Sequence, residues 1–475
     1  MSNINANARE ALKTIPAVDH VILDCYKKFK ISFHYSILKK IINQEIKSIK
    51  SEIINASVVK DDVKNILYKR VYTQIEKFSK NSLQSIINGT GIVLHTGLGR
   101  APISKTILNE TFKSIYPYSN LEFNIDDNSR GDRNTHISYL INSITSSESS
   151  LIVNNNAAAV LLVLNTLAND KDVIISRGEL VEIGGSFRIP DVIEKANCKM
   201  FEVGTTNKTH LKDFNNAISD NTGLIMIAHT SNYKVVGFTE SVDIKEIVNL
   251  GKKKRIPVFL DLGSGAIINY EKYGLPREKL VQDYIKMGVD IVSFSGDKLI
   301  GGPQSGIICG KKKFINKIFS NSMYRALRCD KIISSMLESI LRTYRHYDTF
   351  DWMDSSVVDT NLTFSLLTRN RKKLNGIGKK ILDTLDKKII KKYNIELINS
   401  KVQAGSGSLP IEDIESVAIT ISCSNITCSK ISLKFRQSII PTIGYIKGRK
   451  FFIDLKAIPQ SQIKDLIKSI KHCLL

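Results

Sequence analysis

Residues 290–306 read DIVSFSGDKLIGGPQSG, and this stretch indicates which fold to expect. The apolar run from Ile291 to Phe294 predicts a buried strand that leads into a glycine-rich turn carrying Lys298. An amine at the end of a buried strand is partly desolvated, which lowers its pKa and makes it nucleophilic. Such a lysine suits a Schiff base with an aldehyde cofactor, whereas an isolated loop lysine is usually just exposed.

Two upstream features favour a cofactor site at Lys298. Asp261 ends a predicted strand in PVFLDLGSG, and a carboxylate there can pair with a protonated pyridine nitrogen. The stretch LIVNNNAAAVLLVL predicts a strand, a turn at Asn155, Asn156 and Ala157, and a helix whose first N–H groups can hold a phosphate. Alone, the Asp is as readily a helix cap and the asparagines merely a turn. In this order, they predict a pyridoxal-phosphate enzyme of the aspartate-aminotransferase fold type.

Strand-like and helix-like stretches alternate through the middle of the chain. The runs predicted to be buried strands are 151–153, 172–176, 224–228, 258–261 and 291–294. Helical stretches such as 157–168 and 242–252 lie between them. This alternation predicts an α/β fold with a mostly parallel sheet covered by helices, as in pyridoxal-phosphate enzymes of fold type I.

Changes in composition divide the chain into three predicted domains. Residues 1–80 form a small all-helical domain, because they contain no glycine and repeat apolar residues at helical spacing from Leu38 to Ile53 and from Val63 to Phe78. Residues 81–340 form the cofactor-binding core. Residues 341–475 form an α+β domain, with a lysine-rich helix predicted over 370–392 and strands such as 417–422 and 450–455.

The positive charge is concentrated at the two ends of the chain. The protein has 68 Lys and Arg against 46 Asp and Glu, a net charge of +22. Residues 1–80 carry +7, residues 361–475 carry +13, and the long middle part carries only +2. This pattern favours a polyanion held by the ends. A lysine-rich composition from an AT-biased genome explains the charge about equally well.

Several classes of protein fit the sequence poorly. There is no run of about 18 apolar residues that would cross a membrane, and the N-terminus lacks the pattern of a secretory signal. The seven cysteines form no CxxC pair and no cluster with zinc spacing. We therefore expect a cytoplasmic protein with reduced thiols, no metal site and no membrane contact.

Seven blocks of the chain resemble the bacterial selenocysteine synthases, the L-seryl-tRNA(Sec) selenium transferases. The similarity runs from about residue 80 to about residue 345 in consistent order and is looser in the basic ends. The blocks are INGTGIVLHTGLGRAP, NNNAAAVLLVLNTLA, SRGELVEIGGSFRIPDV, EVGTTNKTHLKDF, HTSNYKVVGFT, DLGSG and SFSGDKLIGGPQSGII.

The resemblance implies conversion of seryl-tRNA(Sec) to selenocysteinyl-tRNA(Sec) with selenophosphate, through β-elimination to aminoacrylyl-tRNA and addition of selenium. Lys298 would hold pyridoxal phosphate and then act as the base for the α-proton. The other implied cofactor residues are Asp261, Asn155, Asn156, Ala157 and Ser295. The implied anion-binding residues are Arg100, Arg325 and Arg328, the last two on one face if their segment is helical. The family also implies a homo-oligomer, a ring of dimers such as a decamer.

Other readings remain open at this stage. A related lyase acting on a small phosphorylated amino compound would share the core blocks but would not need a basic helical N-terminal domain. A nucleic-acid-binding protein with an inactive core is disfavoured by Lys298 and Asp261, and no feature favours a scaffold. The sequence assigns no role to six polar residues of the core: Arg177, Glu179, Glu182, Arg188, His95 and His229.

Overall fold

The computed structural model describes residues 6–29, 33–55, 57–183, 187–229, 233, 235–344, 360–405, 407–408 and 413–475. Contacts divide the chain into two compact units, Met1–Ser85 and Ile86–Leu475. The second unit keeps the core and the C-terminal region together, and the domain boundaries at 80 and 340 stay predictions. None of the helices in these ranges is long and apolar enough to cross a membrane.

The first unit is helical. Its α-helices are α1 (Ala6–Lys13), α2 (Val18–Phe29), α3 (Tyr35–Ile54) and α4 (Val63–Ser79). The predicted apolar stripes from Leu38 to Ile53 on α3 and from Val63 to Ile75 on α4 are buried. Phe78 departs from this pattern with a side chain that is 58% exposed, because it lies in the last turn of α4 beyond the packed stripe.

The second unit contains the remaining helices. They are α5 (Lys105–Ile115), α6 (Thr135–Thr145), α7 (Asn156–Leu167), α8 (Ile189–Lys195), α9 (Leu211–Ala217), α10 (Ile244–Lys254), α11 (Val281–Met287), α12 (Lys312–Phe319), α13 (Ser322–Leu327), α14 (Lys331–Arg342), α15 (Leu362–Leu367), α16 (Arg371–Asp383), α17 (Lys387–Lys392), α18 (Cys428–Arg436) and α19 (Ile463–Leu474). The single helix predicted over 370–392 is therefore wrong. The first helix, α16, ends at Asp383. The Asp386 side chain then caps a second helix, α17, by accepting a hydrogen bond from the N–H of Lys388.

The strands of this unit include all five that the sequence predicts in the core. They are β1 (Ile87–Asn88), β2 (Phe123–Asn124), β3 (Ser129–Arg130), β4 (Ser149–Val153), β5 (Asp172–Ser176), β6 (Glu182–Ile183), β7 (Phe187–Arg188), β8 (Lys199–Val203), β9 (Thr222–Ala228), β10 (Val258–Gly263), β11 (Ile291–Ser295), β12 (Gly306–Gly310), β13 (Glu396–Val402), β14 (Ile414–Ile421), β15 (Thr442–Ile443), β16 (Tyr445–Lys447) and β17 (Lys450–Asp454).

A seven-stranded sheet forms the centre of this unit, in the order β4-β12-β11-β10-β9-β5-β8. Only β12 runs against its neighbours, β11 and β4. Apolar residues cover both faces, as strand β9 illustrates: Ile225 and Ile227 pack into one core cluster, and Leu224 and Met226 pack into the other. A strand buried on both faces needs a continuous apolar run, which explains why these segments were recognisable in the sequence.

The C-terminal region forms a second, antiparallel sheet in the order β13-β14-β17-β16. The segment that enters the core is anchored on the C-terminal region, since Ile87 of β1 pairs in parallel with Thr442 of β15 in a separate two-stranded sheet. Thr90 forms an isolated parallel bridge with the buried Asp454 of β17. The chain that leads to Arg100 is therefore held by the C-terminal sheet.

Candidate active site

Three neighbouring parallel strands bring the predicted cofactor residues together. Strands β9, β10 and β11 lie side by side, with Asp261 of β10 in register with Ala228 on one side and with Ser293 on the other. The carboxyl ends of parallel strands meet at one edge of a sheet, which is where α/β proteins bind ligands. His229, Asp261 and the turn carrying Lys298 lie at this edge.

Lys298 has the environment that its position in the sequence predicts. Its side chain is buried, with the residue 5% exposed. Burial lowers the pKa of the Lys298 amine, while the nearby carboxylates of Asp261 and Asp297 oppose this shift and Arg100 adds to it. A lowered pKa increases the fraction of neutral amine, the form that attacks an aldehyde.

Asp261 is a buried carboxylate with two hydrogen-bond donors. Asn156 Nδ2 donates to Asp261 Oδ1 at 2.8 Å, and Ser293 Oγ donates to the same oxygen at 3.3 Å. Burial raises the pKa of Asp261, whereas the Asn156 amide and the Lys298 charge lower it. These partners favour the charged form, which a protonated pyridine nitrogen would require, and they oppose the larger effect of burial.

The predicted phosphate turn, residues 154–157, joins β4 to α7. The side chain of Asn155 caps α7 by accepting a hydrogen bond from the N–H of Ala158 at 2.8 Å. The N–H groups of Asn156 and Ala157 follow in the first helical turn, where no helical acceptor is available to them. Gly306 of β12 permits this arrangement, because a Cβ there would overlap the carbonyl oxygen of Asn155.

Within the described residues, two buried polar atoms near Asp261 have no hydrogen-bond partner: Asn156 Oδ1 and His229 Nδ1. Unpaired buried polar atoms are rare and often mark the place of a ligand. Together with the buried amine, the carboxylate and the free helix N-terminus, they fit pyridoxal phosphate. Ser295 is buried at the end of β11, and the contacts of the described residues give it no further role.

The predicted anion-binding arginines have different ion-pair surroundings in this chain. Arg100 Nη1 lies 3.0 Å from Asp297 Oδ2, beside Lys298. Arg328 Nη1 lies 3.0 Å from Glu122 Oε1 instead. Arg325 is exposed and makes no ion pair with any residue that the structure describes. The condition for a shared helical face is not met, because α13 ends at Leu327 and Arg328 has an extended backbone.

Glu122 forms an ion pair with Arg328, and no pattern in the sequence predicts this contact. Its carboxylate also accepts hydrogen bonds from Arg133, with Nη2 at 2.6 Å, and lies 3.7 Å from Arg130 Nη2. These arginines lower the pKa of Glu122. The group adjoins the phosphate turn, because the N–H of Asn154 donates to the carbonyl oxygen of Leu327 at 2.8 Å.

Three of the six residues without a predicted role lie in surface ion pairs. Arg177 pairs with Glu202 at 2.8 Å and Arg188 pairs with Glu182 at 2.7 Å, both on the surface, where ion pairs contribute little. His95 Nδ1 is buried without a partner among the described residues.

Glu179 and His229 belong to a cavity. They line a space of about 370 Å³ at the ends of β5 and β9. Burial raises the pKa of Glu179 to about 8, although its carboxylate accepts a hydrogen bond from the N–H of Ala228 at 3.2 Å. Burial also lowers the pKa of His229. Nothing in the local sequence distinguishes Glu179 from its exposed neighbours.

Comparisons with known proteins show the family of this chain. The family model for L-seryl-tRNA selenium transferase matches residues 86–459. An L-seryl-tRNA(Sec) selenium transferase of Alkaliphilus oremlandii is 41% identical over 92% of this chain and 93% of its own length. One from Haemophilus influenzae strain PittEE is 43% identical over 82% of this chain and 84% of its own length. One from Caldanaerobacter subterraneus is 40% identical over 97% of this chain and 98% of its own.

A solved structure matches the fold. D-Glucosaminate-6-phosphate ammonia-lyase superposes with a TM-score of 0.56, covering 85% of this chain and 98% of the lyase at 15% sequence identity. At this identity the likeness concerns the fold alone. It confirms the predicted α/β architecture of pyridoxal-phosphate enzymes of fold type I, with a mostly parallel central sheet.

Proposed function

Because this chain belongs to the L-seryl-tRNA selenium transferase family, we propose that it converts L-seryl-tRNA(Sec) to L-selenocysteinyl-tRNA(Sec), with selenophosphate as the selenium donor. The observation that carries this proposal is the pair of Lys298 and Asp261, both buried at the ends of adjacent strands. The cofactor is pyridoxal phosphate, and the tRNA remains ester-linked to the amino acid throughout.

Each residue of the site has a defined task in this reaction. When bound, pyridoxal phosphate supplies an aldehyde that captures an amine and a ring that takes up the electrons left by a departing proton. Asp261 would hold the proton on the ring nitrogen. Lys298 Nζ would hold the cofactor and, as the base of the site, would move the α-proton of the seryl group to the β-hydroxyl, which leaves as water. Burial of both residues excludes water from the proton transfer.

The selenium donor is an anion, and we assign its binding to Arg100, Arg325 and Arg328. A guanidinium donates two parallel hydrogen bonds to phosphate oxygens. Arg100 is already paired with Asp297 next to Lys298, which places one cation beside the reacting amine. Arg328 is held by Glu122 close to the phosphate turn.

Arg328→Ala is expected to raise the selenophosphate concentration needed for half-maximal rate by roughly one to two orders of magnitude. The reason is that losing a hydrogen bond to a charged group costs about 1.5–3 kcal/mol, and each 1.4 kcal/mol is about a factor of ten. The rate would be measured against selenophosphate concentration. Arg342→Ala is the control, since Arg342 also pairs with a glutamate, Glu338 at 2.5 Å, on an exposed helix face. If Arg328→Ala weakened only tRNA binding, the arginine would belong to the tRNA surface.

We also propose that the active protein is a homo-oligomer built from dimers, such as a decameric ring. Large apolar side chains are exposed on α5, α6 and α14, including Phe112 at 61%, Tyr116 at 67% and Tyr139 at 76%. Exposed apolar surface of this kind is typical of a protein–protein interface.

We further propose that the enzyme works in the cytoplasm, where aminoacylated tRNA is used.

The direct test is to mix the purified protein with seryl-tRNA(Sec) and radiolabelled selenophosphate and to measure selenium on the tRNA. A parallel reaction with ordinary seryl-tRNA(Ser) is the control for substrate choice. A third reaction with a phosphorylated amino sugar tests the alternative lyase activity through release of ammonia. Release of ammonia without transfer of selenium to the tRNA would show that the protein is a lyase and that the proposed function is wrong.

A further inference from the structure

One side chain connects the phosphate turn to the carboxylate that faces the cofactor ring. Asn156 is the first residue of α7, and its Nδ2 donates to Asp261 Oδ1 at 2.8 Å although the two residues are 105 positions apart. The side chain of Asn155 has a different role, because it caps α7 by accepting a hydrogen bond from the N–H of Ala158. The two neighbouring asparagines therefore act on different targets.

The contacts of Asp261 explain what the Asn156 amide does. The two hydrogen bonds that described residues make to this carboxylate, from Asn156 and from Ser293, both reach Oδ1. Two donors on Oδ1 fix the rotation of the carboxyl group, so that Oδ2 points away from both donors. The shorter bond, from Asn156, is the stronger constraint.

We propose that Asn156 is a positioning residue that orients the Asp261 carboxylate toward the cofactor ring, and that it is not a ligand of the cofactor phosphate. This inference rests on the proposed role of Asp261 as the partner of the ring nitrogen. In this arrangement the side chain of Asn156 acts on the ring of the cofactor, and the backbone N–H groups of the phosphate turn hold the phosphate.

The charges around Asp261 fix the direction of the expected pH effect. Lys298 and His229 face Asp261 and lower its pKa, whereas burial raises it. Glu278 in turn acts to raise the pKa of both Lys298 and His229. Removing the Asn156 amide takes away a factor that lowers the pKa of Asp261, so protonation of the carboxylate begins at higher pH. The contact with the ring nitrogen is then lost at higher pH on acidification.

The experiment compares Asn156→Ala with Asn165→Ala as the matched control. Asn165 lies on the same helix and donates to the carbonyl oxygen of Ala196 at 3.2 Å, with no contact to Asp261 among the described residues. Dissociation constants of pyridoxal phosphate and of pyridoxal, which lacks the phosphate, would be measured by equilibrium dialysis from pH 5 to 9.

Asn156→Ala should weaken binding of both probes by the same factor, about tenfold to a hundredfold, because the lost bond acts on the ring. The pH at which affinity falls on acidification should rise, because the amide no longer lowers the pKa of Asp261. Ser293→Ala should shift both quantities in the same direction by a smaller factor, and it keeps the test open if Asn156→Ala does not fold. Asn165→Ala should match the unmodified protein.

Two outcomes would overturn the inference. A loss confined to pyridoxal phosphate, with pyridoxal unaffected, would show that Asn156 acts on the phosphate. An unchanged pH dependence in both variants would show that neither donor controls the Asp261 carboxylate. Asp261→Asn separates this inference from the proposed function: if that variant binds both probes normally, the role of Asp261 itself is wrong.

Discussion

Lys298→Ala is expected to abolish selenium transfer and to remove the near-visible absorbance of the lysine-bound cofactor. The amine is both the covalent anchor of the cofactor and the base for the α-proton, so the rate should fall by at least roughly four orders of magnitude. Binding of tRNA should change little, because the basic residues are concentrated at the two ends of the chain. Transfer of selenium, absorbance and tRNA affinity would be measured on the same preparation.

Lys298→Arg is the matched control for charge. It keeps a cation beside Asp261, but a guanidinium is always protonated and cannot replace the neutral amine. Both variants should therefore be inactive, and borohydride should link the cofactor to the unmodified protein only. If the cofactor were trapped covalently in Lys298→Ala, the anchoring residue would be another lysine and the site would have to be reassigned.

Removal of residues 1–85 is expected to cause the second largest effect, a sharp loss of affinity for tRNA(Sec). We propose this unit as the module that selects the tRNA, since it carries +7 and presents lysines opposite its buried stripes. Exposed lysines on a helical scaffold suit phosphates and overall shape, because A-form RNA hides the base edges of its major groove. Arg70 pairs with Glu52 at 2.6 Å, so part of its charge is compensated within this unit.

The truncated protein should still fold and bind its cofactor, because all predicted cofactor residues lie in the unit that begins at Ile86. Its tRNA binding should also depend less steeply on salt, by about 0.7–0.9 in the logarithmic slope for each lost phosphate contact. Affinities for tRNA(Sec) and tRNA(Ser) would be measured across a salt series for both proteins.

A variant of the full chain avoids the deletion. Charge reversal of the exposed Lys39, Lys47 and Lys50 on α3 should reproduce much of the loss. Charge reversal of Lys252, Lys253 and Lys254, which end α10 in the nearly neutral core, is the control. Equal affinity and equal discrimination in all proteins would move tRNA recognition to the C-terminal region.

Those parts of the protein that depend on local pattern are predictable from the amino-acid sequence. The strands ending at Asp261 and leading to Lys298 were recognisable, because a strand covered on both faces must be apolar along its whole length. The turn before α7 was recognisable because a strand, small polar residues and an apolar helix follow each other directly. Seven blocks in consistent order then identified the family.

Which side chains meet depends on how the elements pack, and this is visible only in the folded chain. The amide of Asn156 reaches Asp261 over 105 positions, and Glu122 reaches Arg328 over 206. Periodicity in a sequence reports which face of an element is buried, but it carries no information on strand order or on the partner across a gap. For the same reason the raised pKa of Glu179 could not be foreseen, because it arises from burial by residues distant in the chain.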